Sequence, residues 1–160
     1  MRRLLGVLRT EENDGGGIGS GPAEGLRDLD RLLEQFRSAG LQLNVKNPDE
    51  ISDLPAALDI SAYRVVQEGL TNVLRHGGPA VQLTIRRSEA ALLIEIQDDG
   101  RPRGSTPSPV GTGPLGSGHG LTGIRERAAL FGGRLEAERQ PDGGFRLFVE
   151  LPLGQAVEPR

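Results

Sequence analysis

The tract YRVVQEGLTNVLRH, residues 63–76, restricts the possible folds more than any other stretch of the chain. Val65, Val66, Leu70, Val73 and Leu74 recur at the spacing of a helix and not at the alternation of a strand. Such a helix must bury its apolar side against a sheet or other helices. On its remaining face Glu68, Asn72 and His76 fall at i, i+4 and i+8 and therefore stack. Asparagine is a poor residue for a helix interior. A carboxylate, a carboxamide and an imidazole beside a core stripe suggest a cation or a phosphate. The oxygen donors of Glu68 and Asn72 suit a hard cation such as Mg2+, which keeps waters and bridges phosphates. A polar face turned to solvent explains the same pattern, so the stripe needs support from elsewhere in the chain.

The flanking sequence supplies covering elements. Leu26, Leu29, Leu32, Leu33 and Phe36 have helical spacing, and Gly40 sits where a helix-ending glycine belongs. Leu41–Lys46 alternates as a strand, and 47–55 is a polar loop. The central helix is expected from Asp59, as its N-cap, to Gly77. Val81, Leu83 and Ile85, then Leu92, Ile94 and Ile96, alternate with mostly polar residues and form two strands across a turn at 87–90. Residues 101–117 are rich in Gly, Pro, Ser and Thr, and a loop of that length inside a compact domain is often functional. A helix from about Gly120 to Phe131 and strands at 134–139 and 145–151 follow, the last two joined by the turn residues Asp142, Gly143 and Gly144. The order predicts an α/β fold: a two-layer α/β sandwich whose mixed, largely antiparallel sheet is covered on one face by helices. With aromatic residues at only 3%, its core must be aliphatic.

Composition removes several classes of function. A net charge of −3 argues against electrostatically driven nucleic-acid binding. Without cysteine there is no disulfide, thiolate metal site or cysteine nucleophile, as suits a reducing cytoplasm. No apolar run is long enough to span a bilayer, so no membrane contact is expected of this segment.

Two further motifs complete the set. Asp98-Asp99-Gly100 ends a strand, where a carboxylate can accept from a ligand's exocyclic amine and a glycine allows close backbone approach. Gly118, Gly120 and Gly123 lead into a helix, whose free N-terminal amides form an anion cradle. The spacing also matches the loose dinucleotide-binding pattern, but no strand precedes it, which argues against that fold. Singly, each motif has a plain explanation as a turn or a hinge.

In order and spacing these motifs resemble the N, G1, G2 and final glycine boxes of the gyrase/histidine-kinase ATPase superfamily. YRVVQEGLTNVLRHG, DDG, GHGLTGIRERAALFGG and GGFRLFVELPL are similar to those of sensor histidine kinases of the DesK-like group, which pair with NarL-type response regulators. The resemblance covers residues 24–153 and implies the Bergerat fold, binding ATP under a mobile lid. It implies that Asn72 coordinates Mg2+, that Glu68 is the acidic N-box residue, and that Asp98 reads the adenine amine. Gly100 matches the first G1 glycine; Gly118, Gly120 and Gly123 match the phosphate loop, with His119 and Leu121 between them; His76 falls at the pocket rim. Residues 101–117 correspond to the lid.

Two departures stand out. Pro102 occupies the second G1 glycine position, with Gly104 two residues later. The only histidines, His76 and His119, lie in nucleotide boxes, so no phosphoacceptor histidine is present. The expected organisation is a remnant of a dimerisation helix plus a flexible linker at 1–22, the ATP-binding catalytic domain at 23–154 and a tail at 155–160. The expected activity is transfer of the ATP γ-phosphoryl group to a histidine on the dimerisation domain of the same kinase, with a NarL-type regulator downstream. The expected location is the cytoplasm, with the cytoplasmic end of a membrane-anchored sensor as one form of it. An anti-sigma-factor-type serine kinase and a non-catalytic nucleotide-binding module share these boxes and are the alternatives.

Overall fold

The computed structural model describes residues 23–46, 51, 53–101 and 119–154. The strands are β1 (Gln42–Lys46), β2 (Ala80–Arg87), β3 (Ala91–Asp98), β4 (Arg134–Arg139) and β5 (Phe145–Pro152). They form one five-stranded sheet in the order β1-β2-β3-β5-β4. β1 runs parallel to β2, and every other pairing is antiparallel. The sheet is thus mixed and largely antiparallel, as the order of elements predicted.

Register follows the hydrophobic pattern. Ile85 lies opposite Ile94 and Ile96 opposite Leu147, so one face collects Val81, Leu83, Ile85, Leu92, Ile94, Ile96, Leu147, Val149 and Leu151. Helices α1 (Leu29–Ser38), α2 (Ala56–His76) and α3 (His119–Leu130) cover that face. Leu32 and Phe36 of α1, Leu58, Val65 and Leu70 of α2, and Ile124 of α3 are all fully buried against it. The core is aliphatic apart from Phe36 and Tyr63. Gly69 lets α2 lie close on the sheet, since a Cβ there would run into the Ile96 side chain. The opposite sheet face is polar. Arg146 donates to Glu95 at 2.6 Å, and Arg146 and Arg134 lie over the Phe148 ring at 5.4 and 6.0 Å.

Helix ends obey local chemistry. α1 stops in a Schellman motif: the Leu41 amide donates to the Phe36 carbonyl and the Gly40 amide to that of Arg37, with Gly40 at φ 108°. α3 repeats it with Gly133 to Ala128 and Gly132 to Ala129, Gly132 at φ 69°. The start of α2 departs from expectation. Pro55 is the N-cap, and Asp59 lies inside the first turn. There Asp59 Oδ1 accepts the Leu26 amide at 3.0 Å and so ties α2 to the 3-10 turn Leu26–Asp28. Glu24 adds a second tie through the buried Tyr63 hydroxyl and is itself paired with Arg31 at 2.7 Å.

The expected N-terminal remnant and linker at 1–22, the loop at 47–50, the lid beyond Arg101 (with Pro102 and Gly104), Gly118 and the tail at 155–160 lie outside the described residues. No helix among the described residues is long and apolar enough to cross a membrane.

Candidate functional site

β3 delivers Asp98 to the end of the sheet, where only 3% of the residue is exposed. Its Oδ1 accepts two main-chain amides, from Gly78 at 3.0 Å and from Gly100 at 2.8 Å. The second bond closes a turn of the carboxylate on its own strand end. Oδ2 is buried and has no hydrogen-bond partner among the described residues. A buried acceptor left unmade costs about 1–3 kcal/mol, so this oxygen is suited to a donor from a ligand, as an adenine amine would be.

Glycines shape the corner around it. A Cβ on Gly77 would stand 3.0 Å from Oδ2, and one on Gly78 would run into the Asp99 carboxylate. Gly100 adopts φ 64°, the left-handed region that glycine favours, and a Cβ there would meet the Gly143 carbonyl. Gly144 likewise has no room for a side chain, because the Asp98 carbonyl lies against it. The close approach expected of Gly100 is therefore made to the 142–144 turn. Asp142 Oδ1 braces that turn by accepting the Gly144 amide at 3.0 Å.

The polar stripe lies on α2. Glu68 and Asn72 are half-buried, while His76, the last residue of the helix, is exposed. Asn72 Nδ2 is buried without a hydrogen-bond partner among the described residues. Glu68 Oε1 accepts from Arg127 Nε of α3 at 3.2 Å. No group of three or more His, Cys, Asp or Glu side chains among the described residues can hold a metal. The donors on offer are thus a carboxylate and a carboxamide, a sparse set that fits Mg2+, which retains waters and takes phosphate oxygens.

α3 opens at His119. The amides of the first three residues of a helix have no intrahelical partner, and here they belong to His119, Gly120 and Leu121. Those amides and the positive helix end offer an anion site. Leu121 also packs its half-buried side chain on the core. Gly123 is too far along the helix to present a free amide. Its missing side chain makes room for α2, since a Cβ would come 2.9 Å from Glu68 Oε2.

Arg127 and Gly78 were not singled out as site residues from the sequence. The repeated glycine in HGG was the available signal for Gly78, whereas in RER nothing marks which charge turns inward. A cavity of about 840 Å³, lined by Arg37, Gln42, Asn44, Gln82, Gln97 and Asp142 among others, touches Asp98 but none of Glu68, Asn72 or α3. It belongs to the β1 side of the sheet and not to the cleft that the motifs define.

Residues 58–155 match the family model described as histidine kinase-, DNA gyrase B- and HSP90-like ATPase. The chain belongs to this ATPase family. The matched span runs from α2 through β5 and contains every candidate site residue. Membership makes ATP the expected ligand of the domain. Among its relatives, the signal transduction histidine-protein kinase/phosphatase UhpB of Salmonella typhimurium is 33% identical over 153 residues, covering 95% of this chain and 28% of the relative. The sensor histidine kinase LnrJ of Bacillus subtilis is 32% identical over 132 residues, covering 80% of this chain and 30% of the relative. The chain thus spans less than a third of the length of these curated relatives. The histidine kinase domain of the Erythrobacter litoralis blue-light-activated kinase EL346 superposes with a TM-score of 0.62 at 22% identity, over 99% of this chain and 78% of that one. The catalytic domain of histidine kinase ThkA gives 0.58 at 17%, over 81% and 94%. These two likenesses support the fold.

Proposed function

We propose that this ATPase domain is the catalytic module of a two-component sensor histidine kinase, passing the γ-phosphoryl group of ATP to a histidine on a dimerisation domain outside this chain. The observation that carries the reading is the Asp98 carboxylate: one oxygen is fixed by two amides and the other is buried and open to a donor. The named sensor kinases among its relatives favour it over an anti-sigma-type serine kinase. A NarL-type response regulator is the proposed downstream partner, on the resemblance of the N and G2 boxes. Its need for ATP places the module in the cytoplasm.

In this reading Asp98 selects adenine over guanine, which presents a carbonyl where adenine presents an amine. The α3 amides of Gly120 and Leu121 hold phosphate oxygens, and Asn72 supplies an oxygen to Mg2+. When bound, Mg2+ neutralises charge on the transferring phosphoryl group. The protein's own task is positioning, because phosphoryl transfer needs little covalent help.

Isothermal titration of the chain with a non-hydrolysable ATP analogue, with and without Mg2+, tests the reading. Asp98→Asn is the informative variant. Its carbonyl can still accept from Gly78 and Gly100, but its amide then presents a donor where an acceptor stood. Losing a hydrogen bond to a charged group is worth about 1.5–3 kcal/mol, so ATP affinity should fall about 10- to 150-fold with folding preserved. A wild type that does not bind ATP removes the proposal.

A further inference from the structure

Of the three consecutive charged residues on α3, Arg125 and Glu126 are exposed and Arg127 is turned inward. Its guanidinium meets Glu68, with the two side chains 23% and 20% exposed. Gly123 and Arg127 stand at i and i+4 and so share one face of α3. That face encloses the Glu68 carboxylate, with Arg127 Nε on Oε1 and the bare Gly123 backbone beside Oε2. On α2, Glu68 is one turn from Asn72, so this is the stripe's own carboxylate, next to the residue assigned to Mg2+. Half-burying an ion pair gains little stability, because desolvation offsets attraction. The arrangement therefore calls for another explanation.

We propose that Arg127 is a positioning residue that commits Glu68 to an ion pair between α2 and α3, withholding the carboxylate from water so that the domain holds ATP without hydrolysing it. The inference rests on the kinase reading above. In hydrolysis a water oxygen bonds to the γ-phosphorus while the bond from that phosphorus to the β–γ bridging oxygen breaks. ADP leaves with the electron pair, and the water's proton passes to a basic group. A carboxylate one helical turn from the metal ligand is the natural acceptor. A kinase must keep that route closed while its phosphoryl group waits for a histidine. With its lone pair on Oε1 engaged by Arg127 and Oε2 against Gly123, Glu68 is held off the water.

The test measures phosphate release from Mg2+-ATP by the full chain, with nucleotide affinity measured separately by titration. Wild type should bind ATP and release phosphate near background. Arg127→Gln frees the carboxylate and should raise release at least about tenfold, a conservative share of the 10²–10⁴ that a general base supplies. Adding Glu68→Gln should return it to background, and Arg127→Lys, which keeps a cation beside Glu68, should stay well below Arg127→Gln. Gly123→Ala reaches the same end independently, since its Cβ pushes the carboxylate away while favouring the helix. If Arg127→Gln does not fold, judged by circular dichroism, Gly123→Ala decides the matter. Variants that bind ATP yet hydrolyse it no faster than wild type overturn the proposal, as does a loss of affinity without gain in hydrolysis, which would make Arg127 only a tether for α3. A wild type with no ATP affinity would instead overturn the kinase reading.

Discussion

Asn72 and Tyr63 lie on the same helix and carry opposite kinds of consequence. Asn72→Ala removes the carboxamide oxygen assigned to Mg2+. In a transfer assay with a histidine-bearing acceptor domain, Mg2+-dependent phosphorylation should be abolished while the fold persists, and unchanged transfer would contradict the assignment. The Tyr63 hydroxyl, by contrast, is pushed up to about 12 by burial and by the Glu24 carboxylate beside it. Because the folded form holds its proton longer than the unfolded chain, Tyr63 gives its full stabilisation below about pH 10. That stabilisation is lost as the pH rises from 10 towards 12. Tyr63→Phe should flatten this part of the stability–pH curve in urea titrations. At this scale Asn72 drew notice because asparagine is a poor residue for a helix interior, whereas Asp98, in an ordinary strand-ending Asp-Gly turn, drew notice only through its order with the other motifs. Arg127 was not, because the direction of one charge in RER is decided by how α3 docks on α2. Asp59 misled for a related reason. Its carboxylate looks like a cap for its own helix, yet it serves the amide of Leu26, distant in sequence.

The elements were easier to read than their contacts. Period-2 alternation marked β1, β2 and β3, and the glycine stop of α1 appears at Gly40, where a helix-ending glycine was expected. Pairing was legible only where a short turn imposes it, as between β2 and β3 or between β4 and β5. The adjacency of β3 with β5, and the parallel β1–β2 pair, depend on long-range packing that no local pattern encodes. The close seat of α2 on the sheet gives an element-level prediction. Gly69→Ala should favour the isolated helix yet destabilise the protein by about 1–3 kcal/mol through overpacking against Ile96. At roughly 2–4 °C for each kcal/mol in a domain of this size, calorimetry should show Tm lowered by several degrees. An unchanged or raised Tm would mean that the helix moves freely.

For the molecule as a whole, the two histidines of the sequence fall in the site motifs, and His76 is exposed at the end of α2. Incubated alone with labelled ATP, the chain should form no acid-labile phosphoryl-histidine, and should do so only when an acceptor domain is added; label on the chain itself would assign one of those histidines a role it was not given. The corner around Asp98 is also distributed along the chain. Gly78, Asp98 and Gly100 precede residues 101–117, whereas the turn at 142–144 and the strand β5 beside β3 follow them. During synthesis, a ribosome-bound fragment ending before residue 145 carries Asn72, Asp98 and the glycines of α3 but lacks β5, so it should emerge unable to retain ATP and acquire that ability only when β5 leaves the exit tunnel.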